Sequence, residues 1–169
     1  MYRTDNPSLL QLQTVMDMTV PVNYLLNFHK VKGHPVTYNI PNMDSEYARN
    51  MRNWQMAILN DQSQDKRIMK SRQLGFSEVG VSELLWFCDT HSFDNVSALY
   101  TFPTNKQMKD FVKARIRPEF AQGYYATLTD KNNNSLDQMS VRNSRIYFRS
   151  ASKGSAVEGV DIDMLSLDE

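Results

Sequence analysis

Lys70-Ser71-Arg72-Gln73-Leu74-Gly75-Phe76-Ser77 is the stretch on which the fold turns. Just before it, residues 67–70 read as a short strand. From Phe76 to about Cys88 the chain is rich in bulky apolar groups and reads as a helix packed on a sheet. A loop that leaves a strand and enters a helix N-terminus suits an anion. Successive backbone N–H groups curl around a phosphate, and the helix end adds its positive partial charge. The usual pattern for such a loop is G-x-x-x-x-G-K-[ST]. Gly75 takes its second glycine position and Ser77 the hydroxyl position that ligates magnesium. Lys70 stands at the first glycine, and Phe76 stands where the lysine belongs. With one glycine and no lysine after it, the stretch alone reads better as a plain strand-to-helix turn.

Working outward, the far end of the chain supplies the complement. Met-Leu-Ser-Leu-Asp-Glu, residues 164–169, is an apolar strand that ends in two carboxylates. In phosphate-loop ATPases such a strand brings an Asp to the magnesium shell and a Glu to the attacking water. The plainer alternative is a strand with ordinary polar residues at its exit. The two motifs come in the expected order, about ninety residues apart, with a strand and a helix between them.

The remaining elements fit an alternating α/β pattern. Residues 8–19 form a short helix ended by Pro21. Residues 36–40 alternate as a strand closed by Pro41. Asp44 or Ser45 caps a helix to about Asn60, with Tyr47, Met51, Trp54 and Ile58 on its apolar side. Residues 96–102 form a strand. Thr104 caps a basic helix that Pro118 ends. Residues 139–141 and 145–148 pair as a hairpin around Asn143-Ser144, and 164–167 is the last strand. On the basic helix Lys106, Lys109, Lys113 and Arg117 share one face beside an apolar face of Met108, Phe111, Val112 and Ile116. That stripe is a solvated surface or a DNA contact.

Composition sets the outer bounds. The chain has 169 residues, the size of one domain. Lys plus Arg and Asp plus Glu are 19 each, so the formal net charge is zero and bulk attraction to nucleic acid is small. Cys88 is the only cysteine, which excludes an intrachain disulfide, and with only His29, His34 and His91 a zinc cluster is not expected. The longest apolar run, residues 79–88, contains Glu83 and is too short to span a bilayer. A reducing, cytosolic-type compartment is the expectation.

Ser71-Arg72-Gln73-Leu74-Gly75 resembles the Walker A loop of tailed-bacteriophage terminase large subunits, the ATPases that drive DNA packaging, and Lys70 and Phe76 resemble the lambda-type branch. Trp54-Gln55 resembles the family's aromatic-Gln adenine motif. Tyr100-Thr101-Phe102-Pro103-Thr104 resembles the strand after the phosphate-loop helix. Ser150-Ala151-Ser152 with Gly159 resembles the segment before the Walker B strand. The similarity runs from about residue 35 to 169. It implies an ASCE/RecA-like P-loop NTPase, a three-layer sandwich with a mainly parallel central sheet, in which residues 1–35 are an N-terminal extension and 36–169 the first part of the ATPase domain. By the family pattern the domain continues past the Walker B strand, and one later strand lies between it and the phosphate-loop strand. The chain is therefore expected to be an N-terminal portion, without the nuclease domain.

The resemblance also implies the site. ATP and Mg²⁺ are the cofactors, with Ser71, Arg72, Gln73, Leu74, Gly75, Phe76 and Ser77 around the phosphates, and Trp54 and Gln55 near the base. Ser77 and Asp168 would hold Mg²⁺. Lys70 would neutralise phosphate charge, Arg72 would act as an arginine finger in cis, and Glu169 would orient or deprotonate the attacking water. Each has a plainer alternative: a first-turn serine, a strand-end lysine, an arginine in a salt bridge, a terminal glutamate. Trp54 is expected in the core, and Gln55, whose amide donates and accepts at once, at the adenine edge. Lys153 and Glu158 flank the turn before the last strand. The implied partners are double-stranded DNA, a portal protein, a small terminase subunit and further copies of the chain, with no membrane, in the cytoplasm of an infected host. A helicase-like P-loop ATPase and a non-catalytic α/β interaction module remain open, the latter favoured by Phe76.

Overall fold

The computed structural model describes residues 8–31, 33–36, 38, 53–71, 74–130, 134–152 and 159–168. The chain is α/β, with a four-stranded, mostly parallel sheet and helices. No helix among the described residues is long and apolar enough to cross a membrane.

The first helix, α1 (Leu9–Thr19), begins at a capping box. The Ser8 hydroxyl accepts from the Gln11 N–H, while the Gln11 side chain accepts from the Ser8 N–H. Pro21 then starts α2 (Pro21–Phe28) at a position where its missing N–H costs nothing. Although α2 belongs to the expected extension, its Val22, Tyr24 and Leu25 share one core with the rest of the chain. Gly33 turns a two-stranded hairpin, β1 (Lys30–Val31) and β2 (His34–Pro35). Most of the expected strand at 36–40 and the start of the helix from Asp44 lie outside the described residues. The described end of that helix, α3 (Asn53–Asn60), stops where expected.

The sheet is built on β3 (Ser97–Phe102), buried along almost its whole length as a central parallel strand should be. It pairs in parallel with β5 (Ser144–Ser150) on one side and β6 (Met164–Leu167) on the other, and β4 (Gln138–Val141) pairs antiparallel with β5. The expected hairpin thus forms, but its turn is Arg142-Asn143, with Arg142 at φ 52°, and Ser144 already lies in β5. The long helix α4 (Phe76–Thr90) crosses the face that carries Ala98, Tyr100, Phe102, Ile146 and Phe148. Gly80 lets it approach closely, because a Cβ there would lie 3.0 Å from the Tyr100 ring. The helix α5 (Asn105–Phe111) covers the same face through Phe111, whose ring lies 5.2 Å from that of Phe102. The other face leaves Leu165 and Leu167 49% and 71% exposed. The expected third layer is not among the described residues.

Two further expectations change. Residues 67–70 form no strand, and Ile68 and Met69 are exposed. A strand needs a neighbour for its N–H and C=O groups, and the sheet order β4-β5-β3-β6 leaves the outer edge of β6 without one among the described residues. Nor does Pro118 end the basic helix. Thr104 caps it as expected, its hydroxyl accepting from the Gln107 N–H. Then a π turn at Val112–Ile116 bonds the Arg117 N–H to the Val112 carbonyl, and α6 (Arg117–Ala121) continues through the proline. Met108, Val112, Ile116 and Phe120 are all buried. Their spacing of four is wider than an α-helix holds on one face, and the π turn resets the drift. A last turn of helix, α7 (Gly123–Ala126), leads towards β4.

Candidate functional site

The parallel pairing of β3 and β6 sets Leu167 beside Thr101, and the Asp168 N–H donates to the Thr101 carbonyl at 3.2 Å. Asp168 is thereby carried to the same end of the sheet at which α4 begins. Gly75 caps α4 in the left-handed region, φ 78°, where a side chain would be strained, and its carbonyl accepts from the Glu78 and Val79 N–H groups. The N–H groups that a helix's first turn leaves without a partner attract an anion. Ser77 lies in that turn, and its hydroxyl donates to Asp168 Oδ2 at 2.6 Å. Lys70 Nζ lies 3.5 Å from Asp168 Oδ1. Lys70, Ser77 and Asp168 thus meet at one point, although Ser77 and Asp168 are 91 positions apart. They open onto a cleft of about 380 Å³, whose far wall is Phe102, Pro103, Gln107, Asp110 and Phe111.

Three of these groups escape sequence reasoning. Tyr100 donates its hydroxyl to Asp168 Oδ2 at 3.0 Å, yet in the sequence it is one more large residue in a core strand. Burial first, and then the Asp168 charge, push its ionisation well above the ordinary tyrosine range, so it is a donor at neutral pH. Gln107 and Asp110 carry a faint signal, since they stand three apart on a helix that follows a strand.

The base-side residues are arranged differently from expectation. Gln55 is 2% exposed and Leu59 is buried, whereas Trp54 and Ile58 are only partly covered. The helix α3 is turned by one position, so its innermost stripe is 55 and 59 rather than 54 and 58. Trp54 stacks on Phe76 at 4.8 Å with the ring planes 29° apart. The aromatic residue in the lysine position therefore has a packing partner. Of the loop, Ser71 is exposed and Leu74 half-buried. Arg72, Gln73, Glu169, Lys153 and Glu158 lie outside the described residues.

Three ion pairs brace the approach to the loop. Lys66 donates to the Ile58 carbonyl at 3.2 Å and pairs with Glu83, tying α3 to α4. Glu78, next to Ser77, pairs with His29 at 3.2 Å and with Arg115 of the π turn at 2.8 Å. Burial pushes the Glu78 carboxyl up, but His29 and Arg115 outweigh it and hold it below its ordinary value. A carboxylate in the first turn of α4 also suits the helix dipole.

Among the described residues no group of three His, Cys, Asp or Glu side chains forms a metal cage. One hydroxyl and one carboxylate do fit Mg²⁺ alongside a phosphate, because that ion keeps most of its water and takes few protein ligands. Compared with family models, with curated proteins and with solved structures, the chain matches none.

Proposed function

We propose that the chain is the ATP-binding and ATP-hydrolysing part of a viral DNA-packaging motor, a terminase large subunit with a P-loop NTPase core. The observation that carries this reading is the meeting of Ser77, Lys70 and Asp168 at the start of α4. A plain turn into a helix has no reason to gather a hydroxyl, an ammonium and a carboxylate from 91 positions away beside an open cleft. The narrower assignment to a terminase rests on the resemblance of residues 71–75, and DNA, a portal protein, a small subunit and a host cytoplasm come with it.

Mg²⁺, when bound with ATP, neutralises phosphate charge and polarises the bond that breaks. The chain's own residues do the rest. The first-turn N–H groups of α4 and the Lys70 ammonium receive the phosphate oxygens. Lys70 now spends its charge on Asp168 and would exchange that partner for phosphate. Ser77 and Asp168 supply the oxygens that hold the ion, directly or through water. By the resemblance, Glu169 orients or deprotonates the attacking water and Arg72 stabilises charge as it moves to the leaving oxygen.

Titration with ATP in the presence of Mg²⁺ tests the reading. Binding that Lys70→Ala and Asp168→Asn both weaken supports it; no ATP binding by the native chain overturns it. One observation favours the non-catalytic alternative, the Trp54–Phe76 stack, which gives Phe76 a purely structural use. Nucleotide binding separates that alternative from both ATPase readings.

A further inference from the structure

This inference rests on the phosphate-site reading and deepens it. We propose that Tyr100 is the positioning residue of Asp168, holding the carboxylate so that one oxygen is tied down and the other faces the cleft for a divalent cation.

The two oxygens of Asp168 are treated differently. Oδ2 accepts two hydroxyl hydrogen bonds, from Ser77 at 2.6 Å and from Tyr100 at 3.0 Å. Oδ1 accepts neither and lies 3.5 Å from the Lys70 ammonium, and Lys70 and Asp168 both line the cleft. Of the two donors, Ser77 has a second duty, since its oxygen is the one a bound ion would take. Tyr100 is a core residue whose hydroxyl lies within reach of Ser77 as well as of Asp168. It is 1% exposed, and its ring is held by Phe102 at 4.8 Å and Phe111 at 6.0 Å. The backbone of α4 at Gly80 closes the remaining side, where an added Cβ would stand 3.0 Å from the ring edge and 3.4 Å from the hydroxyl. The hydroxyl therefore has one place to be. A buried phenol costs stability unless it finds a partner, so phenylalanine would suit the core as well. Asp168, in contrast, lies past the last paired residue of β6, the outermost strand among the described residues, where its backbone alone does not set its side chain.

The test is ATP affinity measured twice, with Mg²⁺ and with EDTA, in the native chain and in Tyr100→Phe. The variant keeps the ring and removes only the donor. The gain in affinity that Mg²⁺ brings should fall about tenfold, the size usual for losing a partner that orients a metal ligand. Affinity in EDTA should stay as in the native chain. A hydroxyl with a merely structural role would lower both affinities alike or neither. Gly80→Ala, which crowds the ring and leaves the hydroxyl present, should lower the same Mg²⁺ gain; it carries the test if Tyr100→Phe fails to fold. In an Asp168→Asn background, Tyr100→Phe should change nothing further. An undiminished Mg²⁺ gain in Tyr100→Phe overturns the positioning role and leaves the phosphate site standing. A native chain that binds ATP in neither buffer overturns both.

Discussion

The two ends of α4 each hold a carboxylate among hydroxyl and cationic donors, and they behave as opposites. In its last turn Asp89 accepts from the hydroxyls of Tyr24 and Tyr124, both at 2.7 Å, and from Arg142 Nε at 2.5 Å, with its side chain fully covered. At its first turn Asp168 accepts from Ser77 and Tyr100 and faces Lys70, with 14% of its side chain exposed. The donor types are nearly the same; access and helix polarity differ. Asp89 stands at the negative end of the helix dipole, so it is tolerated only because Arg142 and two hydroxyls compensate it. That end is saturated and serves as a staple joining α2, α4, α7 and the β4–β5 turn. The positive end lies beside the cleft, and its cation, Lys70, keeps 31% of its side chain exposed. A similar donor set is thus closed at one end of α4 and opens onto a cleft at the other.

The largest effect expected from this contrast is on folding. Asp89→Ala leaves two tyrosine hydroxyls without their acceptor and should cost about 3 kcal/mol, whereas Asp168→Ala should cost about 1 kcal/mol. Urea denaturation of both variants measures this, and equal costs would break the comparison.

Next is the exchangeable cation. Lys70→Ala should weaken Mg²⁺–ATP binding about tenfold, or roughly 1.4 kcal/mol, while the urea midpoint moves little because the side chain is 31% exposed. A large loss of stability with unchanged affinity would make Lys70 a second staple.

A smaller effect sharpens the contrast through pH. Burial, above all, raises the ionisation of Tyr24 and of Tyr100 above the ordinary value of 10.0. A raised value means that the unfolded chain loses these protons first. Stability is then fully present below pH 10 and falls as pH rises past it, by about 0.8 kcal/mol per such tyrosine at pH 10.5 relative to pH 8. Tyr24→Phe should remove one such share from the alkaline loss. An unchanged slope in equilibrium unfolding across pH 8–10.5 would mean that the closed end already admits water.

The smallest effect concerns the basic stripe that runs from α5, on the cleft wall, through the π turn into α6. Lys106, Lys109, Lys113 and Arg117 are all exposed. Changing all four to glutamine should lower duplex-DNA binding about threefold at low salt and flatten its salt dependence. Binding that ignores both salt and these substitutions would leave the stripe as solvated surface.

Much of the fold was legible because its signals are local. The Thr104 cap acts within three residues, and the apolar run at 76–88 and the alternation at 96–102 each concern one element. The candidate site was legible in part for the same reason: Gly75 and Ser77 mark the entry to a helix, and Leu167-Asp168 marks a strand exit. The misreadings are non-local. Trp54 and Ile58 looked like the buried side of α3, but helix spacing alone does not say which neighbouring stripe meets the core. Pro118 looked like a stop, because a π turn is set by packing along Met108, Val112, Ile116 and Phe120 rather than by local preference. Residues 67–70 looked like a strand, since their composition does not reveal whether a neighbour will pair with them.

By itself, then, the sequence determined the helix that begins at Phe76, the strand at 96–102 and the Thr104 cap, since those depend on contacts within a turn or two of the chain. Only the tertiary structure decided that Tyr100 and Ser77 share one oxygen of Asp168, that Asp89 closes the other end of α4, and that Gln55 lies inside while Trp54 rests on Phe76. Each of those outcomes needs side chains from distant segments to meet at hydrogen-bond or ring-contact distance. Such meetings follow from strand register and helix rotation, which no single segment encodes.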